Sequence, residues 1–347
     1  MKKSINRREF LKLSSLTLGA LALRPLSGAT GTERGKAIGM VRVAHPEVEV
    51  FTEPAYNSPV AALRKRDQLL YVYEKLVSPD GPAFNPRWYR VEGGFMHTAY
   101  LQPVKSTLNP TVNSIPESGQ LFEVTVPLTQ SMRYSKYYGW EPLYRLYYQS
   151  NHWVTGVDSG PNGQPWYQIT DDLLKINYHV PAKHMRLIPA EELTPLSVHV
   201  PPEEKRIEVS KKRQSLRAYE GDKLVLYTNI STGIPNLPTT NGVPTDTPIG
   251  KFNVQLKMPV RHMGDGAMTS DIFAYELPGV PWVTFFAEHG VAFHGTYWHD
   301  NYGNEMSHGC VNMRPEEAKW LFRWVTPVSE PGDWERKGRG TRVQVSL

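Results

Sequence analysis

Residues 291–313 read VAFHGTYWHDNYGNEMSHGCVNM and hold Cys310, the only cysteine of the 347-residue chain. A lone thiol cannot close a disulfide within its own chain, so it is core filler, an intermolecular bridge, a metal ligand or a nucleophile. A free thiol titrates near about 8.5 and is only slightly ionised at neutral pH, so a nucleophilic cysteine needs a histidine to take its proton. His294 stands sixteen positions before Cys310 and is followed by Gly295, while Ser307, His308 and Gly309 lead directly into the cysteine. The base needs an acceptor on its second ring nitrogen to fix its tautomer. The tetrahedral oxyanion needs backbone N–H donors beside the sulfur, and Gly309 would let the amides of Gly309 and Cys310 approach without a side chain in the way. A zinc site built from His294, His299, His308 and Cys310 is the competing reading, although zinc sites usually use tighter spacings. A buried inert cysteine is the other, set against a polar Ser-His-Gly turn.

The setting of the thiol depends on where the chain goes. Its first residues, MKKSINRREF, are basic, LSSLTLGALAL (13–23) is uncharged, and LSGA ends in Ser27 and Ala29 at the spacing of a signal-peptidase site. Eleven residues are too few for a permanent span, which needs about 20. Residues 1–29 therefore read as an export signal. NRREFLK (6–12) is similar to a twin-arginine motif, with Asn6 where Ser or Thr is usual; an ordinary secretory signal is the alternative. Export places the protein in the cell envelope, with no permanent membrane span. Six of the 39 basic residues and one of the 34 acidic residues lie in this leader, so 33 of each remain. The alkaline pI thus belongs to the leader and gives no support for a nucleic-acid partner. A free thiol in an oxidising compartment risks oxidation, which argues that it has a use.

The rest of the chain predicts a mainly β fold. Short β-branched and aromatic runs (MVRVA, VEVF, LLYVYEKLV, RIEVS, KLVLYTNI, KFNVQLKM, RVQVSL) alternate with Gly, Pro and Asn clusters. The one good helix candidate is RPEEAKWLFRWV (314–325), with Pro315 at the first helical position, Glu316 and Glu317 at the positive end of the dipole, and Ala318, Leu321, Phe322 and Val325 on one face. Arg314 is a poor N-cap. Segments 88–104 and 166–189 both begin Trp-Tyr-x-(Val/Ile), 78 residues apart, a spacing that suits two small β modules. Trp88 and Trp166 read as core residues. The surplus tyrosines at 134, 137, 138, 144, 147 and 148 read as stacking either on a polymer or on the third domain.

Two resemblances follow. The stretch His294-Gly295, then Ser307-His308-Gly309-Cys310-Val311-Asn312, resembles the signature of the L,D-transpeptidase (YkuD-type) catalytic domain. VSKKRQSLRAYEGDKLVLYTNISTG (209–233) is similar to that domain's opening hairpin, and TPIGKFNV (247–254) to its Thr-Pro-x-Gly-x-Phe strand. Residues 37–105 resemble a bacterial Src-homology-3-like module, and 120–190 resemble it more weakly. Together these imply two small Src-homology-3-like β-barrels followed, over 205–347, by an L,D-transpeptidase β-sandwich with one short helix after the catalytic cysteine. The resemblance implies Cys310 as nucleophile, His294 as base, the carbonyl of Gly295 as its orienting acceptor, and His308, Gly309 and Ser307 as further members of the signature. Asn312 is implied to hold the loop or to contact the donor peptide as a substrate-binding residue, and Tyr275, Trp298 and His299 are implied as further substrate-binding residues, with Tyr275 on a flap (258–282) whose centre, MGDGAM, suits a mobile lid. It implies no metal or other cofactor. The partners implied are peptidoglycan stem peptides and the wall polymer, with carbapenem-type inhibitors as covalent ligands. The acceptor is left open among a diamino-acid amine (crosslinking), water (carboxypeptidase) and another amine (protein attachment). A wall-binding protein that has lost activity is the reading from a different class.

Overall fold

The computed structural model describes residues 35–238 and 243–347; the expected leader lies outside the described residues. The strands fall into three groups along the chain. Between Gly39 and Val104 they form two sheets. One has three strands, with Gly39–Val43 between Leu69–Val72 and Leu101–Val104. The other has five, in the order Val60–Lys65, Glu47–Phe51, Gly94–His97, Arg87–Val91, Glu74–Val77. Val41, Val43, Val50, Val72, Met96 and Leu101 fill the space between them. Trp88 is fully buried, its ring edge-on to Phe51 at 5.7 Å.

The second group, Gln120 to Leu187, is one antiparallel sheet of seven strands. Neither group closes on itself. The expected β content holds, but closed barrels do not form: the strands end on unpaired edges instead of pairing first to last. The two ends of the second group are instead absorbed by neighbours. Leu121, Trp153 and Ile188 belong to the same apolar core as the third group, and the Trp153 ring stacks on Trp334 at 4.7 Å. Trp166 is buried, in keeping with a structural role.

The third group, Lys205 to Ser346, is a sandwich of two five-stranded sheets. Lys205–Ser210 pairs in parallel with Arg342–Ser346 at the centre of the first sheet. The second sheet runs Val311–Met313, Ala292–Gly295, Glu276–Phe285, Leu256–Gly264, Arg336–Lys337. Its inward residues, among them Val260, Trp282, Phe293 and Val311, meet Ile207, Val209, Leu216 and Val343 of the first. Helix α1 (Pro315–Trp324) covers this core with Ala318, Leu321 and Phe322, while Arg314 at its N-cap makes no side-chain capping bond. It is the only α-helix among the described residues, and no described helix is long and apolar enough to cross a membrane.

The three groups lock together through buried polar contacts. Arg42 of the first donates to Asp67 at 2.8 Å, to Gln102 at 2.9 Å and to the carbonyl of Tyr297 in the third at 2.9 Å. Arg145 of the second donates to Asp67 at 2.7 Å, and Tyr147 stacks against Arg42 with 3.9 Å to its ring centre. Tyr144 and Tyr147 thus contact the third group, whereas Tyr134, Tyr137 and Tyr138 are exposed to solvent.

Candidate active site

The site is built on two adjacent parallel strands. Ala292–Gly295 and Val311–Met313 pair in the register Phe293 with Val311, His294 with Asn312 and Gly295 with Met313. Alternation along a strand sends His294 and Asn312 to the same face, and Cys310 lies in the bend immediately before the second strand. Parallel neighbours lie about 4.8 Å apart, so the bend that holds Cys310 opens onto the strand next to that of His294. The topology thus brings together residues separated by sixteen positions.

His294 is buried, and its Nδ1–H donates to the carbonyl of Gly295 at 3.0 Å. That bond leaves Nε2 as the nitrogen able to accept a proton. Burial pushes the His294 imidazole down to about 4, against a smaller upward pull from the Gly295 bond. Burial likewise pushes the Cys310 thiol up to about 11. In the resting site both groups are neutral, and the thiol donates its recorded hydrogen bond to Gly290 O at 3.7 Å. Apolar surroundings explain this: Cys310 and Trp298 pack against Met258, Val280, Val283 and Ala292. The Trp298 ring lies 5.7 Å from that of His294.

The turn before the cysteine is held from several directions. Ser307 Oγ donates to Cys310 O and accepts from Gly309 N at 3.2 Å. The Gly309 amide is therefore engaged within the turn, not free to serve as an oxyanion donor. Gly309 has φ +117°, a conformation that excludes side chains of ordinary residues. Thr247 Oγ1 donates to Gly309 O at 2.8 Å and accepts from Gly233 N at 2.9 Å. A Cβ on Gly233 would stand 2.1 Å from Thr245 O and 2.7 Å from the Gly309 Cα, so only glycine lets these segments meet. Thr247 and Gly233 were not singled out from the sequence; their roles come from contacts 62 and 76 positions away along the chain.

Other residues implied by the resemblance fall into two places. His308 is exposed at the mouth, its ring 5.5 Å from that of Tyr275 on the flap. Burial raises the pKa of the Tyr275 phenol, and the nearby Cys310 raises it further. Asn312 and His299, expected at the substrate surface, are instead buried against each other: the Asn312 amide faces His299 Nε2 at 2.9 Å, and Asn301 N donates to His299 Nδ1 at 3.2 Å. Burial drives His299 down to about 3, so it is a neutral internal strut. Tyr302 is buried as well, donating to Met313 O at 3.0 Å. Among the described residues no group of three or more His, Cys, Asp and Glu could hold a metal ion.

His294 on its strand and Cys310 in the bend just ahead of the next one, beside a glycine-shaped turn, are the residue types that an acyl-transfer site of the thiol type requires. Residues 204–345 match the family model of the L,D-transpeptidase (YkuD) catalytic domain. The C-terminal sandwich is thus an L,D-transpeptidase catalytic domain. L,D-transpeptidase 1 of Mycobacterium tuberculosis is 35% identical over 107 residues, covering 27% of this chain and 39% of that protein. This chain therefore spans well under half the length of that curated relative. The solved catalytic domain of the Enterococcus faecium L,D-transpeptidase is 29% identical, covers 42% of this chain and 98% of its own, and aligns with a TM-score of 0.30. L,D-transpeptidase 3 of Mycobacterium tuberculosis, solved with a faropenem-derived adduct, is 18% identical, covers 49% of this chain and 73% of its own, and has a TM-score of 0.31.

Proposed function

We propose that this protein is an exported peptidoglycan L,D-transpeptidase whose nucleophile is Cys310. The observation that carries the reading is that the His294 strand pairs with the strand Cys310 leads into, with His294 Nδ1 committed to Gly295 O. Cys310 Sγ attacks the carbonyl that joins the third residue of a donor stem tetrapeptide to its terminal D-alanine. His294 Nε2 takes the thiol proton during attack, since the resting thiol is not ionised, and delivers it to the departing amine. D-Alanine leaves and a thioester remains. The side-chain amine of a diamino acid on a neighbouring stem then attacks the thioester, His294 takes a proton from it, and the thiol is restored. The product is a crosslink between two third residues. Tyr275 and His308, whose rings lie 5.5 Å apart, would meet the donor peptide. Thr247, Gly233 and Ser307 hold the turn that presents the sulfur. No step calls on a metal or an organic cofactor.

Muropeptide mass spectrometry on cells carrying the wild type or Cys310→Ala tests this. The third-to-third dimer should be present with the first and absent with the second. A dimer that persists in the variant rules the assignment out. Faropenem should add covalently to Cys310 of the purified wild type; binding to wall sacculi with no adduct would point to an inactive wall-binding protein instead.

A further inference from the structure

The flap hairpin, strands Leu256–Gly264 and Glu276–Phe285, is held by the N-terminal groups instead of standing free over the site. Where its strands give way to the tip loop, His262 is buried between two carboxylates: Nδ1 lies 2.7 Å from Asp171 and Nε2 lies 2.8 Å from Glu276. The His262 backbone N–H donates to Asp172 at 2.7 Å, and Arg261 donates to the same carboxylate at 2.9 Å. Asp171 is itself pinned, accepting from the amides of Leu173 at 2.9 Å and Leu174 at 2.8 Å. Glu276 also accepts from Ala267 N, so one carboxylate ties the imidazole to the flap tip. Farther out, Tyr144 donates to Ala267 O at 3.2 Å, Arg133 reaches the Met268 sulfur at 3.4 Å and Arg66 donates to Ile272 O. Tyr275, adjacent to Glu276, is the flap residue beside His308 and Cys310.

We propose that Asp171 and His262 are positioning residues: through the chain Asp171–His262–Glu276, the second β group fixes the closed placement of the flap that carries Tyr275 over Cys310. This rests on the reading of Cys310 as the nucleophile. The geometry demands a charged ring, because a neutral imidazole has one N–H and cannot donate to carboxylates on both sides. The titratable and charged groups facing the ring are Asp171, Asp172, His152 and Tyr144 of the second group and, on the hairpin, Arg261 and Glu276. Burial pulls His262 down, but the Asp171 bond and the Asp171 and Glu276 charges outweigh it and hold the ring above 6.5. The latch is therefore complete below about pH 6.5 and loosens as pH rises through the elevated folded value.

Hydrogen exchange of flap peptides spanning 265–275 in the full chain tests this. After correction for intrinsic exchange, wild-type protection should fall by about tenfold as pH rises from below about 6.5 through the elevated folded value of His262. Asp171→Asn should abolish that step and slow faropenem acylation of Cys310 by about tenfold, mainly through KM-type binding of the reagent, while alkylation by iodoacetamide stays within about twofold. Should Asp171→Asn not fold, the wild-type pH series decides by itself. Wild-type protection that is flat with pH, or a step that survives in folded Asp171→Asn, overturns the proposal. If faropenem fails to acylate even the wild type, the catalytic reading falls, and the exchange data still decide whether the latch exists.

Discussion

Cys310 and His294 sit in surroundings that favour neither charge. The thiol at about 11 and the imidazole at about 4 both reflect burial, so the proton moves when substrate arrives rather than beforehand. Alkylation of Cys310 by iodoacetamide should therefore keep accelerating above about pH 8.5, the value of a free thiol, and not level off below it. A plateau below that pH would show a preformed thiolate pair. Cys310 and His294 could be nominated as partners from the sequence because nucleophilic chemistry demands both residue types and a glycine beside them. The placement of His299 and Asn312 was not legible there. Both looked like groove residues by their neighbours, but strand alternation and the fold of 296–301 turn them toward each other inside the protein.

At the level of elements, the turn before the cysteine depends on a loop far away in sequence. Thr247→Val keeps shape but orphans Gly309 O and Gly233 N, both buried, at a cost of about 1–3 kcal/mol for the lost partner. Chemical denaturation should show that loss, and displacement of the sulfur should slow acylation by about tenfold to a hundredfold. Equal acylation rates with an intact fold would remove Thr247 from this role. Helix α1 was readable within a residue at each end, because Pro315, two acidic residues and a four-residue apolar stripe are local signals. The Asp171–His262 contact had no such signal. It joins residues 91 apart, each polar and unremarkable in its own segment.

For the whole molecule, three strand groups behave as one body because the second shares the core of the third through Leu121, Trp153 and Ile188, and Asp67 binds two arginines from different groups. Calorimetry should give one cooperative unfolding transition; separate transitions for the first or second group would contradict the shared core. Asp67→Asn leaves Arg42, which is 2% exposed, short of its countercharge and should cost about 3–5 kcal/mol. The mainly β character was visible in the alternating runs. The open sheets were not, because whether the last strand of a group pairs back onto its first is decided by long-range contacts that no local run encodes. The most direct test of the acyl-transfer account is peptide mapping by mass spectrometry after the purified protein is mixed with a stem tetrapeptide and quenched in acid. The donor acyl group, less D-alanine, should be found on the peptide containing Cys310 in the wild type and be missing in Cys310→Ala. Acylation at any other residue, or its survival in that variant, would contradict the account.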